Sequence, residues 1–207
     1  VLNYLLLLGW APEGEQEIFT LDEMIKIWDP ARISKSPAIF DPLKLRAINA
    51  AYIRALPAEE FRRLADPFID SAVHCDIDRD LLCANLQPRC EVLEDIPPQL
   101  DFFDAVLPID AEMYRNKKQK TTPESAKEAL TALLPVLEAQ TDWTRDAIFE
   151  ACKALAEQLE KKNGWLLFPL GIALSGKART PGGGTDLAAM MGKPETLKRV
   201  KEALEKL

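Results

Sequence analysis

Apolar residues recur along most of the chain at helical spacing, broken by residues that start or stop helices. Asp41-Pro42 supplies an N-cap and a proline in the first helical position, and Leu45, Ile48, Tyr52 and Ile53 then share one face. Pro57 opens a second helix through Phe61, Leu64 and Phe68. Thr122-Pro123 opens a third, with Ala126, Leu130, Leu133, Leu134 and Leu137. Thr141 or Thr144 caps a fourth, through Ile148, Cys152, Leu155 and Leu159, with Lys161 and Lys162 in its last turn and Gly164 as its stop. Leu197, Val200 and Leu204 mark a final helix. Near the front, Thr20-Leu21-Asp22-Glu23 forms a capping box, with Phe19 and Met24 placed as a hydrophobic staple. No stretch sustains the period-two alternation of a strand. Fifteen prolines cut the pattern into short pieces. The prediction is an all-α fold of irregular helical bundles rather than long coiled coils.

The chain's 207 residues are enough for one large domain or two small ones, each with its own core. The apolar opening from Val1 to Leu8 stops at Gly9-Trp10, without a basic leader or an initiator Met. It reads as a helix entered partway rather than a signal peptide, so the sequence is expected to be part of something longer. No apolar run is long enough to span a bilayer. Polar breaks fall at Ala55 to Ala58 and at Asp110 to Thr122.

Charge changes the picture. The net charge is -7, but 21 acidic and 10 basic residues lie between Val1 and Glu112, against 12 and 16 from Tyr114 to Leu207. An acidic first part and a basic second part point to a polyanion-binding end. The four cysteines (Cys75, Cys83, Cys90 and Cys152) form no CxxC pair, which fits reduced, buried thiols in a cytosolic protein.

Three segments imitate catalytic chemistry without its context. Ile33-Ser34-Lys35-Ser36 resembles a phosphate-contacting synthetase loop but lacks the leading lysine and runs into Pro37. Gly171 to Ala178 approaches a P-loop, yet Ala178 replaces the hydroxyl that would meet magnesium, and no strand precedes it. His74, Cys75, Cys83 and Cys90 fit no common zinc spacing. His74 is the only histidine, so no Ser/His/Asp set can be drawn.

Two segments suit RNA. Arg115, Lys117, Lys118 and Lys120 form the densest basic run, able to neutralise backbone phosphates or to serve as a solvated linker. The stretch Lys177 to Asp186 joins Lys177, Arg179, Thr180 and Pro181 to Gly182 and Gly183. It is either a plain loop capped by Thr185 or Asp186, or a backbone that comes close to splayed bases.

Several segments, in order, resemble one family. Asn3-Tyr4-Leu5-Leu6-Leu7-Leu8-Gly9-Trp10, Arg32 to Asp41, Pro88-Arg89, Asp142-Trp143-Thr144, Phe168-Pro169-Leu170, Ala173-Leu174-Ser175-Gly176, Thr180-Pro181-Gly182 and Met191-Gly192-Lys193 are similar to the part of bacterial-type glutamyl-tRNA synthetases beyond the catalytic domain. The likeness covers essentially the whole chain and is loosest in the middle. It implies the end of a stem-contact fold over residues 1–57, then anticodon-binding subdomains over 58–112 and 113–207. The expected partner is tRNA, with no DNA and no membrane, and the expected state is a cytoplasmic monomer.

The resemblance further implies that Arg89 reads the third anticodon base, while Thr180, Pro181, Gly182 and Gly183 meet the first. The family's arginine before the Ala-Leu-Ser-Gly segment is Gly171 here, so either Lys177 or Arg179 substitutes, as the expected phosphate contacts, or the anticodon is gripped more weakly. The basic run at Arg115, Lys117, Lys118 and Lys120 is expected along the tRNA backbone. ATP and magnesium belong to the parent's catalytic domain, so this chain alone is expected to hold no cofactor or metal and to have no catalytic residue. A helical protein-interaction module that kept the scaffold is the other reading.

Overall fold

A computed structural model describes residues 1–12 and 14–207. Among the described residues ten α-helices carry the fold, linked by short 3-10 turns and loops. They are α1 (Leu2–Gly9), α2 (Leu21–Ile27), α3 (Pro42–Ala55), α4 (Ala58–Asp70), α5 (Arg79–Leu86), α6 (Pro123–Ala139), α7 (Arg145–Gln158), α8 (Asn163–Ser175), α9 (Gly184–Met191) and α10 (Lys193–Lys206). The only extended pairings among these residues are isolated bridges, Trp10 with Ile33 and Asn116 with Thr121. No helix is long and apolar enough to cross a membrane among the described residues.

The helices begin where the capping chemistry places them. The Thr20 hydroxyl accepts the Glu23 N–H, and the Glu23 carboxylate accepts the Thr20 N–H at 2.7 Å. Asp41 Oδ1 accepts N–H groups from Leu43 and Lys44. Thr144, rather than Thr141, caps α7 through the Ala147 N–H. Each of these bonds satisfies a donor that the first helical turn leaves without an internal partner.

Three features depart from the expected pattern. Helix α7 stops at Gln158, before Lys161 and Lys162. Glu160 takes a left-handed conformation at φ 53°. The Glu160 N–H returns to Glu157 O and the Lys161 N–H to Ala156 O, closing the helix end with no glycine. Gly164 is therefore no stop; it lies in the first turn of α8. That helix was illegible because it is apolar all round, with Leu166, Leu170, Ile172 and Leu174 all buried and Pro169 inside it, so no amphipathic period betrays it. At the front of the chain the burial is inverted. Asn3 and Tyr4 are the buried residues of α1, whereas Leu5 is 52% exposed. Asn3 donates to Glu17 O and accepts the Phe19 N–H, and the Tyr52 hydroxyl bonds Phe19 O. The Tyr52 hydroxyl also donates to Asn3 Oδ1 at 2.9 Å, a polar bond that ties α1 directly to α3.

From Ile53 to Ala203 the buried side chains form one continuous hydrophobic core, running through both the 58–112 and 113–207 segments. Polar groups fasten its layers. Lys193 Nζ donates to Glu138 O and Gln140 O at 2.7 Å, closing the C-terminus of α6, and its ammonium lies 5.7 Å from the Trp143 ring centroid. The Trp143 indole N–H and the Thr196 hydroxyl both donate to Ala188 O in α9. The firmest fastening is Arg199 of α10, which is 2% exposed. Its guanidinium donates to Phe102 O, Leu174 O and Phe103 O at 2.6–2.7 Å, while Glu195 receives its Nε–H at 2.7 Å.

Removing that guanidinium strands three buried carbonyls and leaves Glu195 only its surface pairing with Lys198. Arg199→Met is expected to lower the stability of the chain by about 3–5 kcal/mol, the usual cost of breaking a buried charged network from one side. Urea titration checks it: the midpoint falls while the denaturant slope holds, so a midpoint unchanged from the parent refutes the role.

Candidate nucleic-acid interface

A cleft of about 780 Å³ opens between the end of α5, the face of α8 and the loop before α9. Six of the residues selected from sequence line it: Arg89, Lys177, Arg179, Thr180, Gly182 and Gly183. Pro181 is buried beside them and does not face the opening. Residues nearly a hundred positions apart therefore share one surface.

Each wall has a local cause. Arg89 ends the 3-10 turn Gln87–Arg89, which continues α5. The Gln87 amide donates to Ile53 O and Leu56 O, fixing this turn against the end of α3. The opposite wall leaves α8 through Gly176, whose φ of 68° is a left-handed cap that favours glycine, and a Cβ there would lie 2.6 Å from Leu107 O. The Ser175 hydroxyl donates to Gly171 O and accepts the Lys177 N–H, so the loop departs at a set angle. Gly184 lets α9 lie directly on α8: a Cβ there would stand 2.6 Å from Leu167 O. At the loop's far end Asp186 accepts the Gly183 N–H at 2.7 Å, and Arg145 of α7 donates to the other Asp186 oxygen at 3.2 Å.

The cations differ in their engagement. Arg89 and Arg179 are exposed and make no ion pair with any described residue. In contrast, Arg46, Arg62, Arg63 and Arg79 in the acidic first part are all bound by carboxylates. Lys177 is also held, with its ammonium 2.5 Å from Asp101 and donating to Pro98 O. The Thr180 hydroxyl donates to Gly182 O at 2.5 Å, which leaves its oxygen as an acceptor toward the cleft.

The basic run lies beside the cleft rather than in it. Residues 116–121 fold as a tight hairpin closed by paired backbone bonds between Asn116 and Thr121. Asn116 Oδ1 accepts the N–H groups of Lys118 and Gln119, and Lys120 turns at φ 55°. Lys117, Lys118 and Lys120 are exposed and without ion pairs among the described residues, while Arg115 is spent on Glu112. Of the hairpin only Gln119 reaches the cleft. Sequence reasoning missed Gln99, Gln119 and Phe168 there, since no local motif connects a 3-10 turn, a hairpin and an unrecognised helix. Gly171, at the family's arginine position, forms part of the floor, and a Cβ on it would lie 3.8 Å from Gly184.

The imitation motifs resolve as structure. The P-loop-like segment is the end of α8 from Gly171 to Ser175, its Gly176 cap and the start of the next loop; the Gly176 N–H goes to Ile172 O and the Lys177 N–H to the Ser175 hydroxyl. The Ser34 N–H donates to Gly9 O, and Ile33 pairs with Trp10. Neither segment is shaped to cradle a nucleotide phosphate. The His74 ring and the His74 and Cys75 backbone N–H groups bond Asp104, holding its carboxyl well below the usual carboxylate range. Burial pushes the thiols of Cys83 and Cys90 up to about 11 and that of Cys152 up to about 12, so these are packing groups rather than nucleophiles. Among the described residues no cluster of three or more His, Cys, Asp or Glu side chains is placed to hold a metal ion.

Comparison with known proteins gives this geometry a family. The anticodon binding domain model matches residues 45–204. The chain is 45% identical over 207 residues to a glutamate–tRNA ligase of Clostridium botulinum, covering all of this chain and 43% of that protein. It is 43% identical over 208 residues to the corresponding ligase of Clostridium acetobutylicum, with the same coverage. A crystal structure of a glutamate–tRNA ligase from Elizabethkingia meningosepticum superposes with a TM-score of 0.85 at 27% identity, over all of this chain and 40% of that one. The chain spans less than half the length of the ligases it matches, and over residues 45–204 it belongs to the anticodon binding domain family.

Proposed function

We propose that this chain is the tRNA-binding, anticodon-reading part of a cytoplasmic glutamate–tRNA ligase, acting as a monomer and leaving ATP, magnesium and the ligation itself to a catalytic domain outside it. The observation that carries this reading is the convergence of Arg89 with the Arg179–Gly183 loop on one cleft, with neither guanidinium paired to a carboxylate of any described residue. A single-stranded anticodon offers splayed bases with free edges, and a guanidinium can donate two parallel hydrogen bonds to acceptors on such an edge. Arg89 takes the third anticodon base in this reading. The Thr180 oxygen and the loop backbone take the first. Arg179 and the lysines of the 116–121 hairpin take phosphates on either side. Lys177 acts through Asp101 and Pro98, shaping the wall rather than meeting the RNA directly. Residues 1–57 serve as the end of the stem-contact region, and 58–112 and 113–207 as the two halves that meet at the cleft.

The two arginines separate in a binding titration against salt. Arg89→Gln is expected to relax discrimination between glutamate-type and glutamine-type anticodon stem-loops by roughly tenfold, the scale of one bidentate contact to a base. Arg179→Ala is expected to weaken all stem-loops alike and to reduce the salt slope by about one unit. Unchanged discrimination in the first variant, or an unchanged slope in the second, removes that residue from the interface.

The floor of the cleft gives a gain-of-function test. Since a Cβ at position 171 meets only ordinary contact distances, Gly171→Arg should fold normally and place a guanidinium in the opening. Affinity for the cognate stem-loop is expected to rise by roughly tenfold, the worth of one charge-assisted hydrogen bond. A fully stable variant with parental affinity would show that the bound RNA does not approach α8.

A further inference from the structure

We infer that Gln119 is a base-reading residue of the cleft, held in reading position by the hairpin around it and by the missing side chain of Gly164. The inference rests on the cleft being an RNA site, and it assigns to that site a specificity determinant that is none of the residues selected above, although it sits within the basic run.

The hairpin fixes the Gln119 backbone from both sides. Asn116 and Thr121 exchange backbone bonds at 3.0 and 3.1 Å, and Asn116 Oδ1 receives the Gln119 N–H at 3.1 Å. The side chain therefore leaves a rigid turn and crosses to the first turn of α8. It lies over Gly164: a Cβ built there would stand 1.7 Å from Gln119 Oε1 and 2.6 Å from its Cδ. Gly164 has an ordinary helical backbone, so no turn or left-handed angle calls for glycine. Room for the Gln119 amide does.

The amide itself is uncommitted. Gln99, the other carboxamide lining the cleft, gives its Nε2 to Asp95 O at 2.7 Å. The Gln119 carboxamide makes no hydrogen bond to any described residue, although it is half-buried in the cleft wall. Its Oε1 and Nε2 are reachable from the opening, so two donors and an acceptor stand available there to a ligand. A phosphate offers only acceptors, and the hairpin already presents Lys117, Lys118 and Lys120 for that purpose. A base edge offers a donor beside an acceptor, which matches a carboxamide in both senses and is the pairing by which glutamine reads adenine.

The test uses this chain, anticodon stem-loops with each anticodon base replaced in turn, and the variants Gln119→Ala, Gln119→Glu and Gly164→Ala. Gly164→Ala keeps the glutamine but drives its amide out of the cleft, and it replaces a helical glycine, so its unfolding midpoint should equal or exceed the parent's. Gln119→Ala and Gly164→Ala are both expected to flatten the preference at one base position by roughly tenfold while the salt slope stays at the parental value. Gln119→Glu, which accepts but does not donate, is expected to shift the preference at that same position toward bases presenting a donor. A uniform loss over all stem-loops with a lower salt slope would make Gln119 a phosphate contact and overturn the inference, as would parental preferences in both alanine variants. Failure of the unaltered chain to bind any stem-loop would instead refute the RNA reading of the cleft, and this inference with it.

Discussion

The buried guanidinium of Arg199 sets the frame within which everything else is arranged. It bonds the carbonyls of Phe102 and Phe103, before the basic hairpin, and that of Leu174, at the end of α8. Those three carbonyls lie behind the cleft: two follow the turn that carries Gln99, and the third is at the end of α8 just before Gly176. A charge this deeply buried is costly unless its donors are answered, and four of the five N–H groups of this one meet three carbonyls and a carboxylate. The arrangement is consequently stiff. Phe102 and Leu174 cannot separate without exposing a cation to an apolar core. The interior thus fixes the ends from which the lining loops depart.

The same logic governs the surface. Asp186 orders the loop by accepting the Gly183 N–H, and Arg145 orders Asp186. Lys177 is drawn down onto Asp101, and the Thr180 hydroxyl is folded onto Gly182 O. Groups that shape the cleft are engaged with the protein, while Arg89, Arg179 and the Gln119 amide, which face its opening, are not. A binding surface whose reading groups stand on preordered supports loses less conformational freedom when it engages an RNA, so more of the contact energy remains for discrimination.

Much of this was legible in the sequence. Thr20, Asp41, Thr122 and Thr144 announced their helices because capping is local chemistry, complete within four residues. Arg89 and Thr180 to Gly183 were reached through family likeness, and the fold brings them together. What stayed hidden was non-local or aperiodic. Helix α8 is apolar on all sides, so neither Pro169 nor Gly164 could be read correctly within it. Arg199 lies in a helix whose apolar marks, Leu197, Val200 and Leu204, all pack on the core, but an arginine buried among Thr196, Val200 and Ala203 carries no apolar signal of its own. Gln119 was concealed by its lysine neighbours, which drew attention to charge. Only the space above Gly164 reveals what the glutamine does.

The charge asymmetry also acquires a physical meaning once pairing is considered. A chain at -7 should repel a polyanion at long range, and an excess of bases over acids in its second part only partly offsets this. What a phosphate meets at contact distance, however, is set by the unpaired charges nearby, since charges more than about 10 Å away are largely screened at ordinary salt. The carboxylates Glu91, Asp95, Asp66, Asp70 and Glu60 are all bound to arginines of the first part. Around the cleft the balance reverses: Asp101 is neutralised by Lys177, Glu112 by Arg115 and Asp186 by Arg145, while Arg89, Arg179, Lys117, Lys118 and Lys120 make no ion pair with any described residue. An acidic protein thereby presents a locally cationic opening, with the sign of each region decided by which charges the fold has already used.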